Sequence, residues 1–170
     1  MTGKDSRIEI KWSDYVDAEL GTDFLMGSDK SLRSLGGCSR KRPDKMYTSI
    51  DLVELDECDE YQHLRSGSDY TCDEKRLTEI YDEPSICGKT MVVIRWNPDT
   101  YKVPYGTKRL GRDQRLEMFV KLKRLLRARP VTPTRPKIEV FYMFYDPDNP
   151  LICQNLPVRF VNTEADLEAI

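Results

Sequence analysis

Four carboxylates stand where one strand hairpin could gather them. Asp44 follows Arg42-Pro43, and Glu54, Asp56 and Glu57 lie at the end of the run Ile50-Asp51-Leu52-Val53-Glu54-Leu55. That run is rich in branched apolar residues and reads as a buried strand. Side chains alternate along a strand, so Glu54 and Asp56 project to one side. The ten-residue gap from Asp44 to Glu54 fits a β-turn-β unit whose ends meet. Such a unit would bring Asp44 beside Glu54 or Asp56. Carboxylates converging at strand ends suit a hard divalent cation, because Mg2+ takes one or two protein carboxylates and completes its shell with water and phosphate oxygens. The bland reading of the same acids is plain solvation at a strand end.

Further groups cluster around these acids in the sequence. The single histidine, His63, follows Gln62 shortly after the acidic strand. An imidazole can position or deprotonate a water near neutral pH, although a lone histidine is more often structural. Residues 26 to 42 read as a glycine-punctuated loop with Lys30, Arg33, Arg40, Lys41 and Arg42, which could follow a phosphate backbone or serve as a surface connector. From Asp51 to Glu83 there are twelve acids against three bases, and from Lys102 to Lys137 twelve bases against two acids. The net charge is only −2. An acidic centre beside a basic arm can hold a cation and phosphates together. The alternative is a solvated helix face.

The elements that must position these groups are legible in part. Ile8-Glu9-Ile10-Lys11-Trp12 alternates and predicts a short edge strand. Ser13 is placed to cap a helix through Leu20, closed by Gly21. A hairpin is expected over about 44 to 57, then an irregular stretch from Cys58 to Thr71. Residues 72 to 83 predict a helix with Leu77, Ile80 and Tyr81 on its apolar stripe, stopped by Pro84. Thr90 to Arg95 predicts the clearest buried strand, followed by an Asn97-Pro98-Asp99 turn. Residues 112 to 128 predict a long helix. Leu116, Phe119, Val120, Leu122 and Leu126 form its apolar face, with Arg112, Arg115, Lys121, Lys123, Arg124 and Arg127 largely off it. Pro130, Pro133 and Pro136 predict an extended linker. Ile138 to Tyr145 and Val158 to Val161 predict strands, and the tail after Asn162 reads as loose.

Four blocks in order carry a family resemblance. They are Asp29-Lys30 through Gly36-Gly37-Cys38-Ser39-Arg40-Lys41-Arg42-Pro43-Asp44; Val53-Glu54-Leu55-Asp56-Glu57 with Tyr61-Gln62-His63; Tyr70-Thr71-Cys72-Asp73-Glu74-Lys75-Arg76; and Val92-Val93-Ile94-Arg95-Trp96-Asn97-Pro98-Asp99-Thr100-Tyr101. Over roughly residues 29 to 102 the chain resembles the PD-(D/E)xK-like nucleases of large DNA viruses, algae and protists. These are similar to the very-short-patch repair and EDxHD homing endonucleases. The resemblance implies an α/β fold, a restriction-endonuclease-like central mixed sheet of four or five strands flanked by helices. It implies a Mg2+-dependent DNA endonuclease, with Mn2+ as a substitute. Asp44, Glu54 and Asp56 would hold the metal, and Gln62 and His63 would position the water. Related enzymes place an acid on an early helix, for which Glu19 is the candidate beside its plain surface reading. Arg40, Lys41, Arg42, Arg95, Arg112, Arg115, Arg124 and Arg127 would hold DNA, with Arg95 serving alternatively as partner to a site carboxylate. Glu74 would bind a second cation or hold Arg76. The chain departs from the family pattern twice. Cys58-Asp59-Glu60 is inserted before the Gln-His pair, leaving open whether Asp56-Glu57 or Asp59-Glu60 is the matching pair. Asp56 stands where the broader superfamily has a lysine.

The 170 residues, 39% hydrophobic and 33% charged, suit one domain with a real core. Its catalytic part would span about 13 to 128 and a strand-containing extension 129 to 170. No stretch is apolar enough to span a bilayer, and no secretory signal is evident at the start. Five dispersed cysteines predict free thiols and a reducing, intracellular compartment. They include no Cys-x-x-Cys pair, so a structural Zn2+ site is a minor alternative. Rival functions are a catalytically inactive DNA-binding module of the same fold and a zinc-stabilised interaction domain. The oligomeric state, a dimer included, and the target site stay open.

Overall fold

The computed structural model describes residues 6–30, 43–59, 70–103, 105–146, 148, 153 and 155–170. The chain opens with helix α1, Ser6–Leu20. The edge strand expected over Ile8–Trp12 is therefore not formed, and the helix begins well before Ser13. The alternation there is only superficial, because Ile10 is exposed while Trp12 and Val16 are buried. Ile8, Trp12, Tyr15, Val16 and Leu20 all reach the same core, which is helical spacing. Gly21 ends the helix at φ +70°, its N–H donating to the Asp17 carbonyl at 3.0 Å.

Next come β1 (Leu25–Ser28), β2 (Lys45–Thr48) and β3 (Leu52–Cys58). Helix α2 (Tyr70–Tyr81) leads to β4 (Thr90–Trp96), and helix α3 (Arg112–Ala128) leads to β5 (Ile138–Met143). Strand β6 (Val158–Val161) and helix α4 (Glu164–Glu168) finish the chain. The six strands form one sheet in sequence order. Strands β1 to β3 are an antiparallel meander, and β3 to β6 run parallel.

The architecture is thus a mixed α/β fold, a six-stranded mixed sheet flanked by helices. The sheet exceeds the four or five strands expected, because Leu25–Ser28, read as loop, pairs with β2. The segment from 129 onward completes this sheet, with β5 lying between β4 and β6. The tail after Asn162 is α4, not loose chain. Thr163 caps it by accepting the Asp166 N–H, and Leu167 is buried.

Two apolar layers cover the sheet. Val92, Ile94, Trp96, Phe141 and Met143 meet Trp12 and Val16 of α1 and Phe119, Leu122 and Leu126 of α3. Met46, Val53, Leu55, Val93 and Val140 meet Leu77 and Ile80 of α2. Strand alternation fixes this division. It also sorts the acids of β3. Glu54 and Asp56 lie with Leu52 on the α1/α3 side, as their spacing predicts, and Glu57 lies with Val53 and Leu55 on the α2 side.

Candidate functional site

Glu54 and Asp56 enter a closed charge network between the sheet and α3. The Lys123 ammonium lies 2.8 Å from Glu54 Oε2 and 2.6 Å from Asp56 Oδ2. Arg127 donates from Nε and Nη2 to the Glu54 carboxylate, at 2.8 to 3.1 Å. Lys45, paired with Asp56 in the β2–β3 register, turns its ammonium to the Asp17 carboxylate and the Ser13 carbonyl. Lys123 also sits 4.0 Å from the centre of the Tyr47 ring. Three acids, Asp17, Glu54 and Asp56, balance three bases, Lys45, Lys123 and Arg127. Burial alone would raise Glu54, but Lys123 and Arg127 outweigh it and hold its carboxyl below the usual range. Burial wins at Asp56, pushing it up to about 6 against the pull of Lys123.

Asp44 is not part of that network. The register pairs Lys45 with Asp56 and Tyr47 with Glu54, so one further step sets Asp44 level with Glu57. Glu54 lies three residues, roughly 10 Å, back along the strand. The expected sharing of one cation by Asp44 and Glu54 is therefore not formed. Asp56 is also turned away, toward Lys123. The cause is the turn. Ile50, read as the start of the strand, is 88% exposed between the strands, and pairing begins only at Leu52.

A second group of acids lies where the parallel strands end. Asp44 Oδ2 accepts the Cys58 N–H at 2.7 Å. Glu57 accepts from Arg76 of α2 at 2.7 Å. Asp59, just beyond β3, accepts from Arg95 Nε at 2.5 Å and from the Tyr145 hydroxyl. Arg95 thus takes the carboxylate-partner role, one of its two expected readings. Asp44 faces more acids than bases. Burial first, then Glu57, Asp59 and Glu9, push its pKa up to about 8, against the lowering by the Cys58 N–H. Burial likewise raises Glu57, with Arg76 and Arg95 opposing. A cleft of about 140 Å3 beside Asp44 is lined also by Glu9, Trp12, Ser13, Ser28 and Asp29. The Trp12 indole N–H is buried without an acceptor among the described residues.

The early-helix acid at this end is therefore Glu9. Glu19 lies on the surface and pairs with Arg124 at 3.1 Å. Glu9 went unread in the sequence because its segment looked like a strand, a period that places its side chain differently. Glu57 and Asp59 figure in the sequence only as members of the two alternative acid pairs, and Trp12 only as part of the expected edge strand. The inserted Cys58-Asp59-Glu60 was the available signal for Asp59.

The basic residues separate as well. Lys123 is fully buried, and Arg115 is 7% exposed, so neither lies off the apolar face as expected. Arg115 donates to the Asn97, Pro98 and Asp99 carbonyls at 2.7 to 3.0 Å, tying α3 to the end of β4. Arg127 belongs to Glu54. Of the four α3 arginines read as DNA contacts, only Arg112 and Arg124 are exposed. Glu74 accepts from the Asn155 N–H and side-chain amide, both at 2.8 Å. Gln62, His63, Arg40, Lys41 and Arg42 lie outside the described residues. Among the described residues, Cys58, Cys87 and Cys153 form no disulfide with one another. Among the described residues no three carboxylate, imidazole or thiol groups converge as a metal cage. None of the described helices is long and apolar enough to cross a membrane. Comparisons with protein-family models, curated proteins and solved structures find no match to this chain.

Proposed function

We propose that this chain is a divalent-cation-dependent DNA endonuclease with its active site at the carboxyl end of the parallel strands. The helix–meander–helix–strand order of α1 to β4 supports a restriction-endonuclease-like reading of the fold. The observation that carries the proposal is the unbalanced charge around Asp44. Among the described residues, Glu9, Asp44, Glu57 and Asp59 gather with Arg76 and Arg95, acids outnumbering bases, whereas the set around Lys123 is neutral. An excess of buried negative charge is costly unless a cation answers it.

Asp44 and Glu57, on adjacent strands, would hold Mg2+ or Mn2+, with Glu9 beside them. Two carboxylates suffice for Mg2+, which keeps several waters and phosphate oxygens. The fit is thus to an open site, not to an all-protein cage. When bound, the cation polarises the phosphodiester and lowers the pKa of a water. Arg95, Tyr145 and Arg76 fix the orientation of Asp59 and Glu57. Gln62 and His63, which follow Asp59 closely in sequence, keep the water-positioning role implied by the resemblance.

The test is cleavage of plasmid DNA in Mg2+, Mn2+ and EDTA by wild type, Asp44→Ala, Glu57→Gln and Glu54→Gln. Cutting should need the cation, Asp44 and Glu57. Survival of cutting in Asp44→Ala would place the active site elsewhere. One observation favours a second reading, the inactive DNA-binding module. Glu57 and Asp59 already have arginine partners. Wild type that binds DNA but cuts nothing with either cation would establish that reading instead.

A further inference from the structure

The loop from Asn97 to Gly111 leaves β4 at the same end of the sheet as the acids and carries a feature that the hydrolytic reading does not use. Tyr105 is fully exposed, at 108% relative accessibility, the highest among the exposed large hydrophobic side chains described. Its surroundings are anchored. Tyr101 is buried, and Val103 and Leu110 pack against the core. Arg109 Nη2 donates to the Tyr101 carbonyl at 3.1 Å. The Lys102 N–H is held by the Asp146 carboxylate. Gly106 adopts φ +80°, a left-handed turn that glycine enters without strain, directly after Tyr105. An aromatic ring is thus presented to solvent between described residues that are anchored on either side of it, which limits the conformational freedom lost on binding.

The charge around it is selective. Lys102 is engaged by Asp148 at 2.6 Å. Lys108, Arg109 and Arg112 are exposed, with no carboxylate partner among the described residues. Residues 105 to 112 hold these three bases and no acid, with Asp113 the next residue. Arg115 turns inward, and Arg109 and Arg112 together oppose its charge while burial lowers its pKa first. An exposed ring beside unpaired bases fits a polyanion whose repeating unit also has a flat face. Single-stranded nucleic acid has both. Each base offers a face for stacking and each phosphate a charge, whereas a duplex keeps its faces stacked inside.

We propose that Tyr105 is a stacking platform for an unpaired nucleobase. With Lys108, Arg109 and Arg112 it forms a single-strand-binding surface at the same end of the sheet as the acidic site. The proposal rests on the hydrolytic reading for its placement but not for its test.

The probes are a labelled DNA strand of about 16 nucleotides, the upper single-strand site size, and its duplex. Binding is read by fluorescence anisotropy in EDTA, so that no chemistry intervenes. Tyr105→Ala should weaken binding to the single strand by roughly 5- to 150-fold and leave the duplex within about twofold. Tyr105→Trp should restore it. Lys108→Glu with Arg112→Glu should lower the slope of log affinity against log salt for both probes, by roughly 0.7 to 0.9 per lost phosphate contact. Tyr105→Ala equal to wild type on the single strand, equal losses on both probes, or no binding to either would each overturn the inference. The last outcome would leave the exposed ring to a protein partner. Stacking through Tyr105 in a protein that never cuts would sink only the hydrolytic reading. Cation-dependent cutting in a protein whose Tyr105→Ala variant binds the single strand like wild type would sink only this one.

Discussion

Replacing Lys123 with methionine tests the interior network most directly. The ammonium is wholly buried, within 2.8 Å of Glu54 and 2.6 Å of Asp56. Methionine fills much of the same volume, so the change removes charge with little cavity. Two buried carboxylates then lose a shared cation. Glu54 retains Arg127, but Asp56, whose Oδ1 already lacks a partner, retains none within bonding distance among the described residues. Breaking a buried pair by removing one partner costs about 3 to 5 kcal/mol. At about 2 to 4 °C per kcal/mol for a chain of this size, the melting point should fall by roughly 6 to 20 °C. Adding Asp56→Leu should recover at least about 2 kcal/mol, because the stranded charge goes with it. The penalty should also shrink with acidity. An acid whose folded pKa is raised binds its proton more tightly folded than unfolded. Its cost is absent below the unfolded value near 3.9 and grows as pH rises through the folded value. Asp56 is held at about 6 even with Lys123 present, and without Lys123 both acids move up. Urea titrations at pH 5 and pH 7.5 should therefore show the larger loss at pH 7.5. A loss below about 1 kcal/mol at both, or strict additivity in the double variant, would refute the network as drawn.

Three further outcomes follow from the same geometry. Asp44→Asn should raise the melting point at pH 7 to 8, because burial and the acids Glu57, Asp59 and Glu9 hold the native group up to about 8; its gain should vanish by about pH 3, below the unfolded pKa near 3.9, and calorimetry across that range checks it. Arg115→Met should cost about 3 kcal/mol in urea unfolding, because three buried carbonyls lose a charged donor. Arg112→Glu should stay within about 0.5 kcal/mol of wild type, as exposed substitutions do, and should instead flatten the salt dependence of DNA binding.

The sheet was legible where local pattern and tertiary environment agree. The run Thr90 to Trp96 is apolar on both faces because both faces are covered, and α3 carries its heptad-like face in plain view. Where one sequence satisfies two periods, pattern failed. Ile8-Glu9-Ile10-Lys11-Trp12 alternates, yet Tyr15, Val16 and Leu20 continue it at helical spacing, and the longer run decides. Burial of Lys45, Lys123 and Arg115 was hidden for a different reason. A charged residue in sequence signals surface, and only the partners Asp17, Asp56 and the β4 carbonyls make its interior position tolerable. Those partners lie up to 67 residues away.

The site turned on the register of one hairpin. Proline-aspartate at 43–44 and an acid on β3 are both readable, but which acid faces Asp44 depends on where the turn begins. Thr48-Ser49-Ile50-Asp51 contains none of the Asn-Gly or Asp-Gly signals that fix a two-residue turn. A turn three residues tighter makes Glu54 the partner, and the observed pairing, which begins at Leu52, makes it Glu57. The two acids differ in face as well as position, since an odd shift reverses the side of the sheet. Glu54 therefore joins Lys123 inside the fold and Glu57 joins Asp44 at its end. The same shift separates a neutral, closed set of six charges from an open set with acids in excess. A neutral set has no net charge left for a ligand to answer, and one with acids in excess among the described residues beside a cleft does. Exchange of the roles is the decisive measurement. Glu54→Gln should lower stability and spare any cation-dependent cutting at low temperature, and Glu57→Gln should abolish cutting while leaving stability within about 1 to 2 kcal/mol. The reverse pattern would show that the hairpin pairs three residues out of this register.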